Sequence, residues 1–207
     1  MQTKIKGLNQ SGAEQDVRVT DDGIVVTMTA SQLWTAKGYG TQAMATAAIA
    51  GLVVRPTTTA AATLFNNESG AGKHLVLDRV MVHQLVSGAA ETRFGLWLCS
   101  HPTGMAAPTN DITVRNHTSG GAAGGSNSIF DNGATVVDDG WFPWDDSVSG
   151  EPTGVLPGGQ ISAAIGGKII VPPQGGLSAH IVASSVNEDF TIGFHWYEVP
   201  EGELAVA

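Results

Sequence analysis

The sequence predicts an all-β fold, an antiparallel sandwich or barrel preceded by a less regular N-terminal arm. Three observations carry this prediction. Short runs of alternating or β-branched residues recur along the chain, divided by Gly, Pro, Asn and Asp turns. Helix patterns are almost absent. Neither the strand–helix alternation of a parallel sheet nor a repeat period of roughly 20–50 residues appears.

The elements follow in order. Residues 15–29, QDVRVTDDGIVVTMT, make two alternating runs around Asp22-Gly23, a hairpin signal because a type I′ turn needs positive φ. Residues 41–52, TQAMATAAIAGL, are the best helix candidate. Their alanines favour helix, but the threonines and Ile49 do not, so this stretch reads as an irregular arm with one short helix at most. Residues 74–86, HLVLDRVMVHQLV, read as a long strand, SGAAE as a turn, and 92–99, TRFGLWLC, as a strand with Phe94, Leu96 and Leu98 on one face. DITVR (111–115) and ATVV (134–137) read as short strands, TSGGAAGGSNS (118–128) as a flexible loop and DNG (131–133) as a tight turn. GWFPWDDSVSGEPTG (140–154) reads as a long loop with two tryptophans. QISAAI (160–165) and KIIV (168–171) flank Gly166-Gly167 as a hairpin, and PPQGG (172–176) is a rigid turn. LSAHIVAS (177–184) turns Leu177, Ala179 and Ile181 to one side, and TIGFHWYEV (191–199) closes the domain with large residues on both faces.

Composition narrows the function. The formal charge is −9, from 19 acidic and 10 basic residues, and no basic run tracks a phosphate backbone, so no nucleic-acid partner is expected. MQTKIKGLNQ lacks an apolar core, so no signal peptide is expected. No apolar stretch approaches about 18 residues, so no membrane partner is expected. Glycine makes up 27 of 207 residues, nearly twice the usual share of about 7%. Charged residues are 14%, against a usual share of about 25%. That balance suggests a turn-rich chain with much of its surface against other protein. The single Cys99 lies in the apolar run LWLCS and reads as a buried, inert thiol.

Chemical motifs are weak. GAGKH (70–74) looks like part of a phosphate loop, yet Asn67 stands where the first Gly belongs, His74 replaces the Ser or Thr, and a strand follows in place of a helix. It reads as a turn. The histidines show no metal-binding spacing. His180 and His195 lie on strands that would have to be neighbours to bind zinc. Asp131, Asp138, Asp139, Asp145, Asp146 and Glu151 gather acids on loops, but without the spacing of a calcium loop. No nucleophile elbow occurs, and no catalytic residue, cofactor or metal ligand is assigned. The chain is expected not to be an enzyme. GWFPWDD (140–146) is the most distinctive segment. Trp141, Phe142 and Trp144 read as a cap on one end of the sandwich, a partner contact or a glycan platform.

Two stretches resemble a known family. LFNNESGAGKHLVLDRVMV (64–82) resembles a pattern of β-sandwich proteins of tailed-phage virions: a strand ending in Phe-Asn, a Ser-Gly-x-Gly-Lys turn and a long aliphatic strand. KIIVPPQGGLSAHIV (168–182) is similar to a strand, Pro-Pro, Gly-Gly, strand corner of jelly-roll proteins. The resemblance implies a jelly-roll sandwich and a capsid decoration (cement) protein. Such a protein forms a homotrimer, sits on the virion surface after synthesis in the host cytoplasm, and bridges neighbouring major capsid proteins. A tail or fibre module that binds a glycan or receptor is the alternative. The organisation expected is an arm with a hairpin over 1–55, the sandwich over 56–200 and a tail over 201–207. Partner contacts are expected from Trp34, Tyr39, Ile49, Leu52 and Val53 of the arm, and from Trp141, Phe142 and Trp144.

Overall fold

The computed structural model describes residues 6–8, 14–16, 28–70, 72–88, 92–109, 112–118, 127–150 and 158–204. The Asp22-Gly23 turn, most of the Gly-rich loop at 118–128, and Glu151 lie outside the described residues. In chain order the elements are β1 (Lys6–Leu8), β2 (Glu14–Asp16), α1 (Ala30–Ala36), β3 (Gly40–Met44), β4 (Ile49–Ala50), β5 (Ala62–Asn66) and β6 (Lys73–Val86). There follow β7 (Thr92–His101), β8 (Arg115–Asn116), β9 (Ser128–Asn132), β10 (Phe142–Gly150), β11 (Gln160–Ala164), β12 (Ile170–Val171), β13 (Gly176–Ala183) and β14 (Asp189–Pro200).

Two antiparallel sheets pack face to face as a β-sandwich. The five-stranded sheet runs β10-β7-β13-β5-β9. The seven-stranded sheet runs β11-β6-β14-β3-β8, with β12 beside β11 on β6 and β4 beside β3 on β14. Three pairings nest: β5 with β13, β6 with β11 and β12, and β7 with β10. β5, β6 and β7 alternate between the sheets, and so do β10, β11 with β12 taken together, and β13. This is a long hairpin rolled over itself. β14 then lies on the other side of β6 and joins it to β3.

The core follows from side-chain alternation. Phe94, Leu96 and Leu98 from β7 and Leu177, Ala179 and Ile181 from β13 face Leu75, Leu77, Val80 and Val82 from β6 and Phe190, Ile192, Phe194 and Trp196 from β14. Phe130 of β9 meets Phe194 edge-on at 5.2 Å and lies parallel to Trp196 at 6.3 Å. The buried Trp196 indole donates to Ser128 Oγ at 3.1 Å, so its one polar atom is satisfied.

Along β6 the inward positions switch from odd to even between Leu77 and Val80. A bulge makes the switch: His195 opposes Arg79, the next residue Trp196 opposes Leu77, and Asp78 is the extra residue. The Asp78 carbonyl accepts the amides of Ile165 and Gly166, at 2.8 and 2.9 Å. This corrects the expected hairpin at Gly166-Gly167. Both glycines have positive φ, 59° and 78°, but the turn is an outward excursion. β11 and β12 do not pair with each other; both run along β6 on either side of its bulge.

Other expectations also change. The helix lies at 30–36, not within 41–52. Thr29 Oγ1 accepts from Gln32 N at 3.2 Å, and Gln32 Oε1 accepts from Thr29 N at 2.9 Å, a complete capping box. β3 and β4 belong to the seven-stranded sheet, so residues 40–50 of the expected arm are part of the sandwich. Residues 142–150 of the expected long loop are a strand, because β10 pairs with β7 through two register shifts. Residues 134–137 make only an isolated bridge, Thr59 to Thr135. At the expected tail, Glu201–Glu203 form a 3-10 turn and Leu204 is buried with Val76, Tyr197 and Val199, against which Trp34 packs.

Phe194→Ala removes a fully buried ring from the centre of the core and is expected to cost about 3–5 kcal/mol. Leu85→Ala, at the exposed end of β6, is expected to change stability by less than about 0.5 kcal/mol. Urea unfolding of both variants measures the contrast.

Candidate functional site

Ser178 and His180 alternate with the inward residues of β13 and so face away from the main core. In register beside Ser178 stand Thr63 of β5 and Cys99 of β7. Two segments, 53–60 and 133–141, fold over this outer face of the five-stranded sheet. Ala60 N donates to Ala134 O and Val136 N to Thr58 O, both at 2.9 Å. The Trp141 indole donates to Thr57 O at 2.8 Å. Arg55 grips Asp138 with two parallel hydrogen bonds of 2.7 and 2.8 Å, a planar fork matched to a carboxylate. The guanidinium holds the Asp138 carboxyl below the usual carboxylate range. Beneath this cover, Ala60, Cys99, Ala134, Val136 and Trp141 form a small second core, with Trp97 and Met105 packed against it.

A polar relay pins the cover to the sheet. Asp139 Oδ2 lies 2.8 Å from His101 Nδ1, His101 Nε2 lies 2.8 Å from Ser178 Oγ, and Ser178 Oγ lies 2.9 Å from Thr63 Oγ1. With Nδ1 donating to the carboxylate, Nε2 accepts the Ser178 hydroxyl, whose oxygen then accepts from Thr63.

The Asp139–His101–Ser178 order is that of a nucleophilic triad. Its surroundings are not. Ser178 has 0% exposure. Its strand is paired with β5 on one side and β7 on the other, so the neighbouring amides are committed to ladders and cannot serve an oxyanion. Cys99, beside it, has its thiol pushed up, chiefly by burial. The arrangement positions a loop.

The cover carries three exposed apolar side chains: Val53 at 53%, Val54 at 64% and Val137 at 69%. Val54 and Val137 each directly precede a member of the Arg55–Asp138 bridge, so that bridge holds them on adjoining segments.

The expected contact residues divide into two groups. Val53, Trp141, Phe142 and Trp144 come together at the cover and at β10. Among them Trp141 is buried at 5% exposure, and the half-buried Trp144 packs against the main core, its ring 5.9 Å from Phe142. The tandem tryptophans therefore fold inward and present no open platform for a sugar. Ile49 packs against the main core. Leu52 is bonded through its backbone to Ile181 and Ala183. Trp34 and Tyr39 sit elsewhere, on the outer face of the seven-stranded sheet. Trp34 lies 5.4 Å from Tyr197, and the Tyr39 hydroxyl donates to Glu203 Oε1 at 2.9 Å.

The zinc reading loses its geometry. His180 and His195 lie on different sheets. His180 Nδ1 accepts from Ile181 N at 2.9 Å, and burial holds its pKa down. Asp138 and Asp139 are taken by Arg55 and His101. Among the described residues no group of three or more His, Cys, Asp or Glu side chains is arranged to hold a metal ion.

Sequence reasoning missed the relay, the Arg55–Asp138 clamp and Val137; Val54 ends the apolar run IAGLVV (49–54) that it had marked as a contact. The alternation in LSAHIV already turns Ser178 and His180 away from Leu177, which was a usable signal. Nothing local announces that Asp139 returns to His101. Comparison with family models, curated proteins and solved structures finds no match to this chain.

His101→Ala removes both bonds of a buried ring and leaves Ser178 only its Thr63 partner, at an expected cost of about 1–3 kcal/mol. Because Cys99 lies under the same cover, its labelling by a thiol reagent under native conditions is expected to be slow in the wild type and about tenfold or more faster in the variant.

Proposed function

We propose that this chain is a structural virion protein, a capsid decoration (cement) protein that oligomerises as a homotrimer and bridges neighbouring major capsid proteins. The observation that carries the reading is the cover on the five-stranded sheet, which presents Val53, Val54 and Val137 to solvent while a buried relay and an Arg–Asp fork hold it in place. Full burial of a valine or phenylalanine side chain is worth about 1.5–3 kcal/mol, so a few such contacts repeated around an oligomer give strong attachment. A protein that binds only the assembled shell stabilises it by mass action. The low content of charge and the two stretches that resemble virion sandwich proteins agree with this reading. The glycan-binding alternative draws less support, because Trp141 and Trp144 face inward.

The test is co-sedimentation with empty tailed-phage capsid shells, after light scattering has fixed the oligomeric state. Saturable binding at a fixed copy number, with shells more resistant to heat, is the expected result. Val54→Asp with Val137→Asp is expected to weaken binding at least about tenfold, since a buried unpaired carboxylate is costly, while the melting temperature of the free protein stays the same. A wild-type oligomer that ignores shells, or a double variant that binds like wild type, overturns the proposal.

A further inference from the structure

The outer face of the seven-stranded sheet holds a second cluster of titratable groups that plays no part in the cover. His195 and Tyr197 stand two residues apart on β14 and point to this face. His117, just past β8, lays its ring beside both, with centroids 5.0 Å from His195 and 5.9 Å from Tyr197. Gly40 makes room for it: a Cβ there would lie 2.6 Å from His117 Nδ1. His117 Nε2 is buried and makes no hydrogen bond. The segment that carries this ring is lightly held. β8 pairs with β3 at two positions, Asn116 Nδ2 donates to Gly38 O at 2.9 Å, and His117 N donates to Gly40 O at 2.9 Å.

We propose that the His117–His195 pair is an acid-operated latch on edge strand β8: charging the rings drives residues 115–118 off β3 and bares the β3 edge. Two imidazolium ions at the observed 5.0 Å separation repel each other across a partly desolvated space. Burial is the largest influence on both rings and holds both pKa values below the ordinary imidazole value, and for His195 the His117 ring pushes the same way. The other facing groups are known. From β6, Asp78 favours the charged form of both rings and Arg79 opposes it on His195; from β3, the Thr41 backbone favours it on His117. Tyr197 supplies a ring edge from β14. Because the closed state holds these rings below their free value, the released segment binds more protons and acid favours release. The effect is absent above about pH 7 and grows as pH falls through about 6.5. A bared β3 edge offers unpaired amides and carbonyls, the template for adding an extended strand. This inference is independent of the capsid reading.

Hydrogen–deuterium exchange at about pH 7.5 and about pH 5, on either side of the histidine range and corrected for intrinsic rates, tests it. Peptides covering 40–44 and 115–118 are expected to lose protection about tenfold or more at acid pH, while β13 keeps its own. His195→Gln, neutral at both pH values, is expected to flatten the response. If circular dichroism shows that variant unfolded at neutral pH, His117→Gln makes the same test. Equal protection at both pH values, an undiminished response in the Gln variant, or loss of protection across all strands together overturns the latch.

Discussion

The pairing of β6 with β14 is the constraint on which the rest of this structure depends. These are the two longest strands, and their ladder runs from Lys73 opposite Pro200 to Val86 opposite Asp189. Strand side chains alternate with period two, so an uninterrupted β6 would aim Arg79 and His83 at the core, where Val80 and Val82 now stand. Burying an unpaired charge is costly. The extra residue at Asp78 resets the phase, and its carbonyl anchors the Ile165–Gly166 excursion that lets β11 and β12 follow β6 past the bulge. β14 in turn carries β3 and β4 on its far edge. The width of the seven-stranded sheet and the facing of its core therefore both follow from one ladder with a bulge in it.

The two outer faces solve the same problem differently. A half-buried β-sheet face needs a cover or a polar surface. On the five-stranded sheet the segments at 53–60 and 133–141 supply a cover, with Trp141 as its apolar anchor and the Asp139–His101–Ser178–Thr63 chain as its polar one. That chain ties the loop to the sheet through three consecutive hydrogen bonds. On the seven-stranded sheet, α1 and the C-terminal turn supply a smaller cover. Trp34, Tyr197, His117 and His195 stand in a row there, and Lys37, Tyr39 and Glu203 tie the helix to the chain end. The first cover displays apolar side chains on a fixed frame. The second includes two histidines whose pKa values burial lowers. A rigid display suits a permanent contact, and a proton-sensitive row suits a conditional one.

What the sequence determined by itself was the fold class and most strand positions. Alternation in HLVLDRVMVHQLV, TRFGLWLC, LSAHIVAS and TIGFHWYEV marks four strands because period-two patterning is local, and the buried sets on β7 and β13 are the ones that alternation selects. The capping box at Thr29 and Gln32 was equally legible, in a stretch whose alanines drew attention further along the chain. What only the tertiary structure decided were the pairings. QISAAI and KIIV do contain strands, over 160–164 and 170–171, but a positive-φ turn between them does not say that both lie against β6. Trp141 and Trp144 look like a displayed aromatic pair until Thr57 and the core claim them. The relay joins His101 to residues 38 and 77 positions away, and the two rings of the latch are separated by the whole of β9 to β13. Such contacts depend on how the sheets and loops close over one another, and no window of sequence short enough to show a period holds both partners.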